Sequence, residues 1–406
     1  MEKKLRAENE ILRRKIKELQ SQIKAPKQSK KNKSRKLEFS HYKMRHVVLK
    51  FCYLGWSYCG LAQQATVDNT VIEKIINALV LCKLIEDRET NIVICGRTDK
   101  GVSAFQQVIS LDVRSALASG IGMIENSGIN ISQRKNIADE EIDYVFILNK
   151  VLPKDIRILA WSPVDVDFSA RFNSSGRSYK YFFPKSDLSI DLMQEAGKRL
   201  IGSHDFRNFC SMQISQGITQ FVRNIYEVTI EPFDKSEADS EYRMYVINIS
   251  ASSFIYHQIR CTVAILLMIG QRKESEDVID HLLDVEGIGG LGKPFYQMAS
   301  DLPLVFYEAS YEGINWQTSE EAVNDYLVDI QNLWVSYQTK QSMLKLFLDE
   351  INLQHSLKIE KSSLIDAICN DAKFDKWKPL LKRPKELSLK EKLFNHHNKK
   401  MKESNE

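Results

Sequence analysis

The chain has 406 residues, of which 43% are hydrophobic and 27% are charged. These proportions are typical of a globular protein, and the length is too great for one ordinary domain. The longest apolar run, Val263–Ile269, is far too short to span a membrane, so we expect no membrane segment. No apolar stretch follows the N-terminus, so we expect no secretory signal. The seven cysteines are an odd number and none forms a CxxC pair. This favours reduced thiols in the nucleus or the cytoplasm over a zinc site or a disulfide framework.

The net charge of +4 hides an uneven distribution of basic and acidic residues. Residues 1–36 carry 14 Lys or Arg and 4 Glu, a net charge of +10, and residues 373–406 carry 11 Lys or Arg and 5 Asp or Glu, a net charge of +6. The middle of the chain therefore has a net charge of about −12. Basic ends of this kind either remain solvated or bind a polyanion, of which nucleic acid is the usual one.

Residues 1–23 show a heptad pattern that predicts a coiled-coil helix, with a parallel dimer as its natural state. Three heptads are marginal alone, so the same helix can instead dock on a partner or on the rest of the chain. Residues 24–42 follow as a basic linker, which we expect to be flexible because Pro26 interrupts the helix. The residues at the repeating positions are Leu5, Asn9, Leu12, Ile16, Leu19 and Ile23.

The remaining chain divides into three predicted parts. An N-terminal subdomain covers residues 43–168 and contains a polar, glycine-containing insertion at 119–141. A C-terminal subdomain covers residues 169–313, and a helical, basic extension covers 314–406. Strands and helices alternate irregularly, which predicts an α+β fold with a mixed sheet rather than a doubly wound one.

The predicted elements follow from the period of the apolar residues. A possible capping box at Thr70 and Glu73 opens a predicted helix that runs to about Ile85. The other predicted helices are Ile190–Ile201 and Phe254–Ile269. The predicted strands are Val47–Cys52, Asn91–Cys95, Val108–Val113, Tyr144–Leu148, Ile156–Trp161, Tyr179–Phe183, Ile225–Ile230, Met244–Ile249 and Leu304–Glu308.

The octet Gly96–Ser103 lies between two predicted strands and combines glycines with charged and hydroxyl side chains. Its sequence fits an ordinary hairpin turn. Because two strands hold this loop in place, it can also position a reactive group such as the carboxylate of Asp99.

The segment Ala170–Tyr181 alternates basic and aromatic residues on a predicted strand. Aromatic rings can stack on nucleic-acid bases and arginines can bind phosphates, although aromatic residues also simply favour strands.

Arg260 lies just before the apolar end of the predicted helix Phe254–Ile269. Burying an arginine there requires a counter-charge, for which a carboxylate from elsewhere is the natural partner, unless the side chain reaches solvent. His257 lies one turn earlier on the same side and either faces a phosphate or packs in the interior.

Taken in order along residues 45–310, these segments resemble the TruA-type tRNA pseudouridine synthases. The most specific match is Gly96–Ser103, which is similar to the family's GRTDxGVxA-like signature. Asp301–Leu304 departs from the Gly-Leu-x-Leu of bacterial members, and this departure, together with the tails, resembles the eukaryotic branch that modifies positions 38 and 39 in the anticodon arm. The other matching segments are Tyr53–Gly60 with Gln63 and Gln64, Ala170–Phe172 with Tyr179–Tyr181, Gly202–Phe206, and Phe254–Arg260.

The resemblance implies a role for five residues. Asp99 corresponds to the catalytic aspartate and Arg97 to the arginine linked to flipping of the target nucleotide. Tyr179 corresponds to the tyrosine that stacks on the uracil, Arg260 to the arginine that pairs with the aspartate, and Leu302 to a leucine of the uracil pocket.

The resemblance also implies the fold and the partners. The family has two α/β subdomains around a central mixed sheet, uses neither cofactor nor metal, and acts on tRNA. Its bacterial members are homodimers, so we expect a homodimer here. Two alternatives remain open: a tRNA-binding protein that has lost catalysis, and a coiled-coil assembly factor on the same fold.

Overall fold

The computed structural model describes residues 39–64, 67–124, 138–212, 220–236, 240–355, 362–369 and 377–403. The predicted coiled coil at 1–23, most of the linker and the middle of the predicted insertion lie outside the described residues. Residues 40–406 form one compact unit.

Nine strands and eight α-helices make up the described part of this unit. The strands are β1 (Met44–Tyr53), β2 (Val93–Ile94), β3 (Ser103–Arg114), β4 (Ile156–Pro163), β5 (Gly176–Pro184), β6 (Gly202–Asp205), β7 (Val222–Pro232), β8 (Met244–Ala251) and β9 (Leu304–Ser310). The helices are α1 (Val71–Leu81), α2 (Tyr144–Asn149), α3 (Ile190–Lys198), α4 (Gln258–Gly270), α5 (Asp277–Leu283), α6 (Glu320–His355), α7 (Ser362–Asp366) and α8 (Leu389–Glu403).

All nine strands join one mixed sheet, which confirms the predicted α+β class. The order is β4-β1-β3-β9-β5-β8-β7-β6, and β2 pairs with β3. β9 lies between β3 and β5, so the last strand of the chain connects the strands of the two predicted subdomains. It runs parallel to β3, with Ser103 opposite Val305, and antiparallel to β5, with Lys180 opposite Val305. Every other described pairing is antiparallel.

Two hydrophobic clusters form the core, one for each half of the sheet. Helices α1 and α2 bury their apolar residues against the first half, whereas α3, α4 and α5 bury theirs against the second. The strand period of two decides which residues enter the core. On β5, for example, Tyr181 and Phe183 are fully buried, while the alternating residues Lys180 and Phe182 are half-buried.

One predicted strand is wrong, because residues Tyr144–Asn149 form the helix α2. The side chain of Asp143 accepts a hydrogen bond from the backbone N–H of Phe146 at 2.9 Å and so caps the first turn. A short apolar run does not distinguish a strand from one buried helical turn, and the cap decides between them here.

Several predicted boundaries also differ from the structure. α1 ends at Leu81 and not near Ile85, α4 begins at Gln258 and not at Phe254, and β3 starts at Ser103, five residues earlier than predicted. The strand β6 is absent from the prediction. Its four residues, Gly202–Asp205, are polar and carry no apolar alternation, yet they pair with β7.

The long helix α6 begins against the first half of the sheet. Tyr326 accepts a hydrogen bond from the thiol of Cys52 at 3.1 Å, and Asp329 forms an ion pair with Arg157 at 2.9 Å. Beyond these contacts the helix is largely exposed, and among the described residues no helix is both long enough and apolar enough to cross a membrane. Its exposed apolar residues include Leu327, Trp334, Val335, Tyr337, Leu344, Phe347 and Ile351.

Candidate active site

The loop between β2 and β3 carries Asp99 and is held by backbone hydrogen bonds from the segment after β1. The backbone N–H of Leu61 donates to the carbonyl of Thr98 at 3.3 Å, and that of Gly101 donates to the carbonyl of Tyr58 at 3.3 Å. The buried hydroxyl groups of Tyr53 and Thr98 are 2.6 Å apart. The loop is therefore fixed on both sides of Asp99, as expected of a loop that positions a reactive group.

Two glycines allow these segments to approach so closely. Gly101 has a φ of +82°, in the left-handed region that suits glycine. A Cβ atom on Gly55 would lie 1.9 Å from the carbonyl oxygen of Val102, so a larger residue there would push the two segments apart.

The Asp99 carboxylate accepts two contacts on the same oxygen. Oδ2 lies 3.2 Å from Nη1 of Arg260 and 3.3 Å from Nε2 of His257. Within the part of the chain that the structure describes, no donor contacts Oδ1. The Nε of Arg260 donates to the carbonyl of Ala299 at 2.8 Å, which fixes the direction of the guanidinium. The three side chains are partly buried, with 23% of Asp99, 12% of Arg260 and 11% of His257 exposed.

These contacts keep the carboxylate ionised. Burial alone would raise the pKa of Asp99, but the hydrogen bond and charge of His257 and the charge of Arg260 outweigh it, so the pKa lies below its usual value. Asp99 is therefore an anion at neutral pH inside a partly dry site, which is the state that a nucleophile or a base requires.

The predicted partner of Arg260 is thus confirmed, since a carboxylate 161 residues away in sequence meets the guanidinium. His257 contacts the carboxylate too, and the sequence did not assign it this contact. The backbone of His257 adopts the left-handed conformation, with a φ of 65°, at the residue before α4. Its proximity to Arg260 along the chain was the only signal of this arrangement.

Tyr179 is half-buried on β5, and its ring is held by two other aromatic rings. Phe254 and Phe306 pack against it edge to face, with ring centroids 5.2 Å and 5.1 Å away. Burial raises the pKa of Tyr179 well above its usual value, so its hydroxyl group is neutral at physiological pH. The ring is therefore a rigid apolar surface with a neutral polar tip.

Arg97 and Leu302 both lie at the surface. Arg97 is exposed in the Asp99 loop, and Leu302 is 56% exposed in the segment just before β9. That segment approaches the loop through Asp301, whose carboxylate carbon is 3.1 Å from the position of a Cβ on Gly101. Among the described residues, neither Arg97 nor Leu302 makes a hydrogen bond or ion pair with Asp99, so both are available to a ligand.

The basic and aromatic segment before and along β5 serves two purposes. Arg177 is a structural residue, because its guanidinium donates hydrogen bonds to Cys95, Arg171 and Ser252 and so ties the base of the Asp99 loop to two strands. Phe172, in contrast, is 81% exposed with the guanidinium of Arg171 over its ring. This exposed pair fits the predicted binding to nucleic acid.

The described residues contain no group of three or more His, Cys, Asp or Glu side chains arranged to hold a metal ion. The charged groups of the site are the carboxylate, the guanidinium and the imidazole, so its polar chemistry consists of proton transfer, nucleophilic attack and binding of anions.

Comparison with known proteins agrees with the sequence motifs. A family model described as tRNA pseudouridine synthase matches residues 196–312. The human tRNA pseudouridine(38/39) synthase is 36% identical over 94% of this chain and 86% of its own length, and that of Saccharomyces cerevisiae is 36% identical over 81% and 72%. The tRNA pseudouridine synthase A of Methanococcoides burtonii is 28% identical over 70% of this chain and 91% of its own length. Because the identity extends over nearly the whole chain, this protein belongs to the tRNA pseudouridine synthase family.

Proposed function

We propose that this protein isomerises uridine to pseudouridine at positions 38 and 39 of tRNA, the activity in the names of its human and yeast relatives. The observation that carries the proposal is the partly buried Asp99 carboxylate, kept ionised by Arg260 and His257 in the loop that matches the family signature.

The reaction breaks an N-glycosidic bond and forms a C–C bond to the same uracil. The target base must first leave the stack, at a cost of a few kcal/mol. In this proposal the exposed Arg97 fills the space that the base leaves, and the uracil stacks on the ring of Tyr179, which two other aromatic rings support. The Asp99 carboxylate then acts on the nucleotide, and the apolar side chain of Leu302 closes the pocket in which the detached uracil turns.

We also propose that the protein is a homodimer paired through α6. Apolar side chains on this helix recur at alternating steps of three and four residues, the period of a coiled-coil seam, except that Lys340 takes the place between Tyr337 and Leu344. The first half of the stripe is partly buried at the body, but its second half, beginning at Tyr337, is exposed except where that ring meets Trp56. A second copy of the same helix has the matching period and would cover it. The stripe consists of Val323, Tyr326, Ile330, Leu333, Tyr337, Leu344, Phe347 and Ile351.

Light scattering on the full chain tests the dimer with two matched substitutions. Leu344→Glu places a charge on the stripe and should yield monomers, whereas Leu346→Glu, at an equally exposed position off the stripe, should leave the mass unchanged. A monomeric wild type, or equal behaviour of both variants, would exclude this interface.

The activity is tested with the purified chain and unmodified tRNA transcripts carrying uridine at positions 38 and 39. We expect pseudouridine at those positions by chemical mapping, and no product with Asp99→Ala, although this variant should still bind tRNA with a Kd within about threefold of wild type because the phosphate contacts remain. Product elsewhere in the tRNA would correct the target position. A wild type that binds tRNA without forming product would favour the non-catalytic alternative.

A further inference from the structure

We infer that His257 is a positioning residue for the reaction and that Ser211 holds its ring in place. Together with Arg260, His257 contacts Oδ2 of Asp99, so Oδ1 is the oxygen that contacts the nucleotide. The inference rests on the proposed function and extends it to two residues that the family motifs did not assign a role. Its starting point is the geometry of the carboxylate, because both donors contact the same oxygen, at 3.2 Å and 3.3 Å.

The contacts at the two ring nitrogens fix what His257 presents to Asp99. The Asp99 carboxylate only accepts hydrogen bonds, so Nε2 of His257, the atom that faces it, carries a hydrogen. The hydroxyl oxygen of Ser211 lies 2.8 Å from the other nitrogen, Nδ1. Ser211 thus holds the ring in the orientation in which Nε2 points at the carboxylate.

Ser211 is held in place from both sides. Its backbone N–H donates to the carbonyl of Tyr256 at 3.1 Å. The carbonyl of the preceding residue, Cys210, accepts a hydrogen bond at 3.0 Å from the buried Lys293. The hydroxyl group therefore reaches the imidazole from a fixed backbone.

The backbone of His257 is also fixed, in a conformation that histidine adopts only when its surroundings require it. Its left-handed φ of 65° costs roughly 1 kcal/mol for a residue with a Cβ. The turn is closed by Gln258, whose N–H donates to the carbonyl of Ile255 at 3.0 Å while its side-chain oxygen accepts from the N–H of Ile255 at 2.9 Å. The ring of Tyr256 stacks on the imidazole with centroids 3.6 Å apart. A strained backbone held so firmly next to a reactive carboxylate indicates a positioning function.

Single-turnover pseudouridine formation on the tRNA, with tRNA binding measured in parallel, tests the inference. Removing a hydrogen bond to a charged group should slow the reaction by about tenfold to a hundredfold in His257→Ala, with little change in the Kd for tRNA. His257→Gln should recover most of the rate, because its amide nitrogen reaches as far as Nε2, whereas the shorter His257→Asn should not. The exposed His281→Gln on α5 is the matched control and should behave as wild type.

The comparison of glutamine with asparagine separates positioning from a merely structural role. A structural defect would lower the rate equally in His257→Gln and His257→Asn. Ser211→Ala should also slow the reaction, because it removes the hydroxyl group that holds the imidazole.

Each outcome either supports or overturns the positioning role of His257. A His257→Ala rate within about twofold of an active wild type, or a Gln variant no better than Asn, would overturn the inference and leave the proposed function intact. If His257→Ala does not fold, as judged by thermal melting, the comparison of His257→Gln with His257→Asn decides instead. An inactive wild type would remove the proposed function and this inference with it.

Discussion

Replacing Arg260 with methionine tests the ion pair on which the proposed chemistry depends. The substitution keeps an apolar stem of similar length but removes the charge 3.2 Å from Oδ2 of Asp99. Two unit charges at this distance interact by about 5 kcal/mol at an effective dielectric constant of about 20. Because Asp99 is 23% exposed and keeps its contact with His257, water and the imidazole compensate for part of this loss. A net loss of about 1.5–3 kcal/mol is the usual value for a hydrogen bond to a charged group, and a loss of this kind raises the pKa of Asp99.

The direction of the effect follows from the depressed pKa of Asp99. In wild type the carboxylate stays ionised as pH falls to below the usual pKa of an aspartate, so activity should persist into acid. In Arg260→Met, burial is no longer opposed by the guanidinium, so the pKa of Asp99 rises and activity should disappear at a higher pH than in wild type. The same reasoning applies to stability, since the ion pair stabilises the fold above the usual pKa of an aspartate and is lost as pH falls through the depressed value.

The assay is the single-turnover rate of pseudouridine formation between pH 4.5 and pH 9, with the thermal midpoint recorded for each protein. Arg260→Lys is the control, because it keeps the charge but cannot contact both Ala299 and Asp99. In Arg260→Lys, the acidic side of the pH–rate profile should stay near its wild-type position, although the rate itself should fall. Superimposable pH profiles for wild type and Arg260→Met would refute the electrostatic reasoning, whatever the rates.

Three further predictions concern other parts of the molecule. Deleting residues 1–36 removes a net charge of +10, so it should weaken tRNA binding and flatten the dependence of log Kd on log salt concentration without changing the single-turnover rate. An unchanged salt slope in a filter-binding titration would count against a role of these residues in binding. The pKa of His46 is raised mainly by its hydrogen bond to Asp112, so the stability from this pair should be present below the usual histidine pKa and lost as pH rises through the raised value. The thermal midpoint of wild type should thus fall relative to that of Asp112→Asn between about pH 6 and pH 9, and parallel curves would contradict this. Gly55→Ala places a methyl group 1.9 Å from the Val102 carbonyl oxygen and should lower both activity and thermal midpoint, while retention of both would show that the Asp99 loop tolerates displacement.

The pairing of Asp99 with Arg260 was predictable from sequence because a physical requirement linked the two residues. An arginine at the head of an apolar helix needs a counter-charge, and the resemblance to the family identified Asp99 as the carboxylate that supplies it. The sheet and most of its strands were predictable for a similar reason, since apolar residues alternate along strands with one buried face, as on β5.

What the sequence did not predict depends on backbone conformations that residue type does not determine. His257 reaches Asp99 only because its backbone is left-handed, and no pattern of side chains encodes that angle. The helix α2 was taken for a strand because its six residues are too few to show a helical period. The strand β6 was missed because its polar residues pair with β7 through backbone groups alone.

The position of β9 has a consequence for the synthesis of the protein. β9 lies between β3, which follows the Asp99 loop, and β5, and Ala299, which orients Arg260, is five residues before β9. A nascent chain therefore contains both charged residues before β9 is made, and roughly three-quarters of the polypeptide must be synthesised before the sheet around the ion pair is complete. Domains that complete their sheet with a distant segment fold slowly, so a newly made molecule passes through a period in which Asp99 is solvated and inactive.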